Sequence, residues 1–120
     1  MMDFGDPELA ATLDAADAAE LDALPFGVVA MDATFVVVAY NRAESALSGL
    51  SPERVVGRNF FSEVAPCTAN AMVAGRFDAP GALDVEVPYV FALRMRPTPV
   101  TLRLMRSPGG ERQYLAVQRR

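Results

Sequence analysis

The tightest constraint on the fold is an abrupt change of local signal at residue 41. From Phe26 to Tyr40 the chain is β-branched and aromatic, interrupted by the polar Asp32-Ala33-Thr34, which predicts two strands on a short turn. Helix punctuation follows at once: Asn41 as an N-cap with Gly49 as a stop, then Ser51-Pro52-Glu53 as cap, first position and first turn, with Gly57 as a stop. Strand signals return over Val85–Met95, Val100–Arg106 and Gln113–Gln118. They are separated by Arg96-Pro97-Thr98-Pro99 and Ser107-Pro108-Gly109-Gly110, both turn-forming in composition. A hairpin, a run of short helices and three more strands predict an α+β domain, with a five-stranded antiparallel sheet and its helices inserted between strands 2 and 3. Leu102 and Leu104 alternate with Thr101, Arg103 and Met105, so one face is expected under the helices and the other partly wet.

Residues 1–24 are alanine- and acid-rich. Asp6-Pro7-Glu8 predicts the start of one short helix, and Asp17 with Glu20 a capping box for a second that carries Leu21 and Leu24 and ends at Pro25. The large apolar anchors are few: Phe4, Leu9, Leu13, Leu21 and Leu24. The expectation is therefore a helical cap (1–24) docked weakly on a core (25–120) within a single domain, since 120 residues leave no room for a second. The excess of 15 acidic over 11 basic side chains opposes binding to nucleic acid or anionic lipid. Charge-free stretches such as Thr34 to Asn41 are far shorter than the roughly 20 apolar residues of a membrane span. Met1 to Gly5 has no basic signal-peptide region, so a cytoplasmic protein is expected. Histidine is absent and Cys67 is the only cysteine. That removes Ser-His and Cys-His catalytic pairs, most zinc sites and any internal disulfide, and an enzyme is not expected.

Two strands, inserted helices and three strands form the arrangement of PAS sensor domains. Within it, Tyr40-Asn41-Arg42-Ala43-Glu44, Ser48-Gly49, Val56-Gly57-Arg58-Asn59-Phe60-Phe61 and Val64-Ala65-Pro66-Cys67-Thr68 closely resemble the photoactive yellow protein family. Leu21 to Gly27, Pro88-Tyr89-Val90-Phe91 and Met95-Arg96-Pro97-Thr98 extend the likeness over nearly the whole chain. The resemblance implies a blue-light receptor carrying p-coumaric acid as a thioester on Cys67, with Tyr40 and Glu44 donating to its phenolate. A phenol of pKa about 10 stays ionised at pH 7 only if donors shift it by about 3 units or more, against the effect of burial. Glu44 can donate only when protonated, which requires an apolar pocket and a negative neighbour to lift it from about 4.3.

Ser48 falls on the helical face of Glu44 and is expected to reach Tyr40, where the family usually has threonine. Pro66 precedes the attachment site. Phe60, Phe61, Phe91 and Met95 are expected in the core, with pocket lining as an added role. Leu50 stands where the family commonly has an arginine over the pocket mouth, and Leu93 replaces an aromatic residue. The loop after Cys67 is shorter than the family's. Arg54, Arg58, Arg94, Arg96, Arg103 and Arg106 read as solvated charges.

The implied mechanism is trans-to-cis isomerisation and loss of the Glu44 proton, giving a conformational signal to a downstream signalling protein. The chain itself is expected as a monomer or weak homodimer. The alternative from another class is a chromophore-free PAS-type sensory or interaction module. An enzyme with Cys67 as nucleophile would lack a histidine to activate the thiol.

Overall fold

The computed structural model describes residues 2–93 and 96–120. The first hairpin consists of β1 (Gly27–Met31) and β2 (Val37–Tyr40). Its turn is held by Asp32, whose Oδ1 accepts from Thr34 N at 2.8 Å, Thr34 Oγ1 at 2.8 Å and Val36 N at 3.0 Å. These donors hold the Asp32 carboxyl below its ordinary pKa. Phe35 adopts a left-handed φ of 68°, so β2 begins two residues later than the β-rich sequence suggests. After β2 come α3 (Arg42–Ser48), α4 (Pro52–Val55) and short helical turns at Phe60–Val64, Pro66–Thr68 and Ala74–Asp78. The chain then forms β3 (Leu83–Leu93), β4 (Arg96–Arg106) and β5 (Gln113–Arg119). All pairings are antiparallel, in the order β2-β1-β5-β4-β3. This is the α+β sheet expected, with its helices between strands 2 and 3.

Arg96 to Pro99, expected as a turn, instead forms the start of β4, paired with β3 down to Leu93↔Arg96. The backbone orientation explains why two prolines are tolerated there. Pro99 O accepts from Arg120 N at 3.0 Å, so Pro99 turns its backbone toward the β5 side, and Pro97, two residues earlier, does the same. The paired register of β5 ends at Val100↔Arg119, so Pro97 replaces no donor of the β4–β5 ladder, whereas Pro99 forgoes only the reciprocal bond to Arg120 at the very end of it. Pro88 lies opposite Thr101, which faces β5, so its nitrogen points to the open outer edge of β3.

Both faces of the sheet are covered, which corrects the expectation of one wet face. On one face Val29, Met31, Leu102, Leu104, Leu115 and Val117 pack with Phe60, Phe61, Val73 and Phe77 from the inserted segment. On the other, Val28, Ala30, Met105, Tyr114 and Ala116 pack with Phe4, Leu9, Leu13, Leu21 and Leu24. Every residue of β1 is therefore buried, and its hydrophobic run is continuous instead of alternating.

The N-terminal segment that supplies this second layer contains α1 (Leu9–Ala15) and α2 (Ala18–Asp22). The first helix starts later than expected, because Asp6 Oδ1 accepts from Glu8 N at 2.8 Å and holds Pro7-Glu8 in a turn. The capping box of α2 is complete: Glu20 N donates to Asp17 Oδ1 at 2.8 Å and Asp17 N to Glu20 Oε1 at 3.1 Å.

Docking of this segment is stronger than its composition suggests. Leu9 and Leu13 are fully buried, Phe4 meets Phe26 edge-on at 5.5 Å, and Tyr114 Oη donates to Asp14 Oδ1 at 2.6 Å. Arg103, expected to be solvated, is 5 % exposed. It donates to both carboxylate oxygens of Asp84, at 2.8 and 2.7 Å, and to the carbonyls of Phe4 and Asp6, each at 2.7 Å. Arg106 is likewise bound and not free: it donates to Gly81 O, Phe77 O, Ala79 O and Gln113 Oε1. Arg103→Met removes two charge-assisted anchors on the segment and should cost about 2–3 kcal/mol. Hydrogen exchange should rise in residues 3–15 while β1 and β5 stay protected; unchanged exchange in 3–15 would show that the apolar contacts alone hold the segment.

Candidate functional site

Asn41 caps α3 with its side chain and, in doing so, fixes where the helix points. Its Oδ1 accepts from Glu44 N at 3.1 Å and from Val28 N at 2.9 Å. Glu44 is thereby placed in the first turn, with its side chain turned in toward β1, and is 6 % exposed. Gly49, with φ of 81°, ends the helix in the left-handed conformation that glycine adopts without strain. Tyr40, at the end of β2, donates from its hydroxyl to Ser48 Oγ at 2.8 Å, and Ser48 Oγ also accepts from Leu50 N at 3.1 Å.

The attachment segment has its own local devices. Asn59 caps the π-helical turn Phe60–Val64, its Oδ1 accepting from Phe61 N and Ser62 N at 3.1 Å. Glu63 returns the contact through Asn59 N at 2.9 Å. π-helical turns of this kind occur often at functional sites. Thr68 is fully buried and donates to Ala65 O at 2.7 Å, closing the turn that presents Cys67 at the surface. The Cys67 carbonyl is gripped by two donors: Tyr89 Oη at 2.8 Å and Asn70 Nδ2 at 3.0 Å. Asn70 Nδ2 also reaches Tyr89 Oη at 2.8 Å.

These pieces surround one cavity of about 430 Å³, within the range of small-molecule sites. Tyr40, Glu44, Ser48, Leu50, Phe60, Pro66, Cys67 and Phe91 all line it. Met95, also expected at the site, lies outside the described residues. Phe61 is buried in the core against Phe35, Phe60 and Phe77. Sequence reasoning did not assign Val64, Ala65, Tyr89, Val90 and Ala92 to the lining. The outward-facing residues of β3 carry no pattern that distinguishes a cavity wall from an exposed strand, but Tyr89 could have been sought as a hydroxyl one strand away from the cysteine loop. A larger, open depression of about 620 Å³ runs past Asp32, Phe35, Phe77 and Arg106, but its arginine is already committed to backbone carbonyls.

The electrostatics of the cavity centre on Glu44. Burial pushes its carboxyl up to about 7, opposed in part by the Tyr40 hydroxyl. Burial, and then the Glu44 charge beside it, push the Tyr40 phenol well above its ordinary value. Glu44 Oε1 is buried with no hydrogen-bond partner among the described residues. The arrangement combines an exposed thiol, apolar walls and a buried donor cluster whose carboxyl titrates near neutral pH instead of in the ordinary acid range.

The PAS fold family matches residues 16–120. Photoactive yellow protein of Rhodothalassium salexigens is 37% identical over 122 residues, covering 99% of this chain and 98% of that protein. The Halochromatium salexigens protein of the same name is 34% identical over 119 residues, with 97% and 95% coverage. The chain belongs to the photoactive yellow protein family. Among solved structures, the photoactive yellow protein domain of the sensor histidine kinase Ppr from Rhodospirillum centenum superposes with a TM-score of 0.83 at 43% identity, covering 91% of this chain and 98% of that domain. No helix among the described residues is long and apolar enough to cross a membrane.

The Glu44 carboxyl makes stability depend on pH with a definite sign. Its folded pKa of about 7 lies above the unfolded value, so the native state binds more protons between the two. Stability is full below about pH 4.3 and is lost as pH rises through 7, by about 3–4 kcal/mol in total. Denaturant unfolding of the colourless protein at pH 5 and pH 8 should show this loss in wild type and not in Glu44→Gln. Equal pH slopes in the two proteins would mean that Glu44 ionises freely in the fold.

Proposed function

We propose that this protein is a cytoplasmic blue-light photoreceptor that carries a p-coumaroyl group as a thioester on Cys67. The observation that carries the reading is a single cavity shared by an exposed thiol and a buried carboxyl whose pKa burial raises to about 7. Such a donor set suits a ligand with an acyl carbon at one end and a phenolate at the other. Attachment follows ordinary acyl transfer: the Cys67 thiolate attacks the carbonyl of an activated p-coumaroyl donor, the donor's leaving group departs, and the thiol proton goes to water. The bound group supplies absorption of blue light and isomerisation about its double bond.

The chain's own residues supply the rest. Tyr40 and protonated Glu44 are the donors that keep a buried phenolate ionised, against the preference of an apolar site for the neutral phenol. The Ser48 hydroxyl, which accepts from Tyr40 when the cavity holds no ligand, becomes the donor to Tyr40 Oη once Tyr40 turns its single proton to the phenolate. It holds the ring in place in both arrangements. Tyr89 and Asn70 hold the Cys67 peptide, so the attachment point cannot follow a movement within the cavity. Leu50, Phe60, Pro66 and Phe91 form apolar walls. Among the described residues no cation lines the cavity, which leaves Tyr40 and Glu44 as the donors placed to stabilise the phenolate.

Once light disturbs the donor contacts, Glu44 gives up its proton into the cavity. A buried carboxylate without a partner costs several kcal/mol, comparable with the stability of a domain of this size. Opening the fold to hydrate that charge is the signal. The N-terminal cap (1–24) is read as the segment released from the core (25–120), and the receiver is a signalling protein. That the Rhodospirillum centenum relative is a domain of a sensor histidine kinase supports this role. The single free thiol fits a reducing compartment.

Incubating the purified protein with an activated p-coumaroyl donor should give one yellow adduct by intact mass, and none in Cys67→Ala. Colourless wild type after that treatment returns the reading to a chromophore-free PAS interaction module. In the adduct, Glu44→Gln should move the absorption to longer wavelength, because an amide is a weaker donor and leaves more charge delocalised along the chromophore. An unchanged spectrum would remove Glu44 from the site.

A further inference from the structure

Gly27 is a glycine whose backbone does not require one. It opens β1 in regular antiparallel register with Val117, and it is absent from the positive-φ positions of the chain. Space is the constraint instead. A Cβ at this position would lie 2.2 Å from Glu44 Oε1 and 3.2 Å from both Cβ and Cδ of the same side chain. All three of its nearest neighbours belong to Glu44. The carboxyl therefore occupies the volume that any other residue would fill with its own side chain.

We infer that Gly27 is a positioning residue for the Glu44 proton: its bare Cα is the seat of the inner carboxyl oxygen, and that seat keeps the group neutral and turns its proton toward the cavity. The inference rests on the proposed role of Glu44 as a donor and names the feature that makes the role possible. The inner oxygen, Oε1, has no hydrogen-bond partner among the described residues, and Arg119 on the β5 side is exposed and lines a separate depression with Gly27. No hydrogen bond at the seat therefore stabilises a negative charge. The groups that can exchange a proton with Glu44 all lie on the cavity side. Tyr40 faces it from the end of β2, and Tyr89 from β3 and Cys67 from the attachment turn line the same cavity. No arginine, lysine or second carboxylate lines that cavity among the described residues, and Arg42 on the same helix is exposed. A methyl group at position 27 would push the carboxyl out into the cavity, where water can reach it and its charged form recovers hydration.

The test uses the colourless full chain, so that it is independent of chromophore attachment. The Glu44 carboxylic-acid infrared band, assigned by its loss in Glu44→Ala, is titrated in wild type and in Gly27→Ala. The midpoint should fall from near 7 by about one unit or more in Gly27→Ala. Gly5→Ala, where nothing lies within 4 Å of the added methyl, should leave it unchanged. Denaturant midpoints of Gly27→Ala, Glu44→Ala and the double variant complete a cycle. Gly27→Ala should lower the midpoint clearly more in the wild-type background than in Glu44→Ala, where Oε1 and Cδ are gone and only the 3.2 Å contact with Cβ remains. If Gly27→Ala alone does not fold, recovery of folding in the double variant supports the seat. An unshifted titration, an equal loss of stability in both backgrounds, or a double variant that also fails to fold would each overturn it. Failure of p-coumaroyl attachment to wild type would remove the photoreceptor reading and leave this titration standing.

Discussion

One buried amide ties the sheet, the cap and the site together. Asn41 is 2 % exposed and uses its whole hydrogen-bonding capacity. Its Oδ1 accepts from Val28 N and Glu44 N, and its Nδ2 donates to Leu21 O at 2.8 Å and Phe26 O at 3.1 Å. The partners belong to β1, α3, the second helix of the cap and the link into the sheet. A group satisfied in this way is costly to disturb, since each broken contact leaves a buried polar atom bare. The same side chain that starts α3 therefore also sets the distance between that helix and β1, and the Glu44 carboxyl sits in that gap.

The rest of the site works by contrast with that satisfaction. Asn41 is fully paired, whereas Glu44, three residues on, has one oxygen with no partner among the described residues. Burial raises its pKa into the neutral range, which stores a proton where the cavity can draw on it. Around it, Tyr40 and Ser48 form a hydroxyl chain, and the Asn70–Tyr89 grip holds the cysteine loop to the edge strand. A soft, chargeable centre thus lies between rigid supports, and a local change of charge has few ways to relax other than by moving whole elements.

Much of this was legible in the sequence because short-range chemistry dictated it. The Asp17/Glu20 capping box, the Asn41 cap, the Gly49 stop and the Asp32 turn are read from neighbours within a few residues, and the structure contains each of them. Glu44 and Ser48 lie one helical turn apart in α3, and Tyr40 ends the strand just before the cap of that helix. What escaped depends on contacts distant in the chain. Arg103 looked like a solvated strand residue until Phe4 and Asp6, nearly a hundred positions away, came to lie over it. The cap looked weakly held because apolar residues that receive it, such as Val28 and Tyr114, read as ordinary strand residues. The role of Gly27 was hidden for the same reason: only the packed helix shows that its missing side chain leaves room for another.

The three strand prolines share one further consequence. Among the described residues the register of β5 on β4 ends at Val100↔Arg119, so the hairpin has two flanks without a continuous paired strand: the outer side of β3 and the inner side of β4 before Val100, where only Arg120 reaches Pro99. Such flanks invite a foreign strand to add on, which is how sheets aggregate or swap segments. Pro88 on one flank, and Pro97 and Pro99 on the other, each remove a backbone donor from the row an incoming strand would have to match. A fold whose proposed output is a partial opening would expose these edges in every cycle. Prolines placed at the non-bonded positions let the sheet loosen without becoming a template for its neighbours.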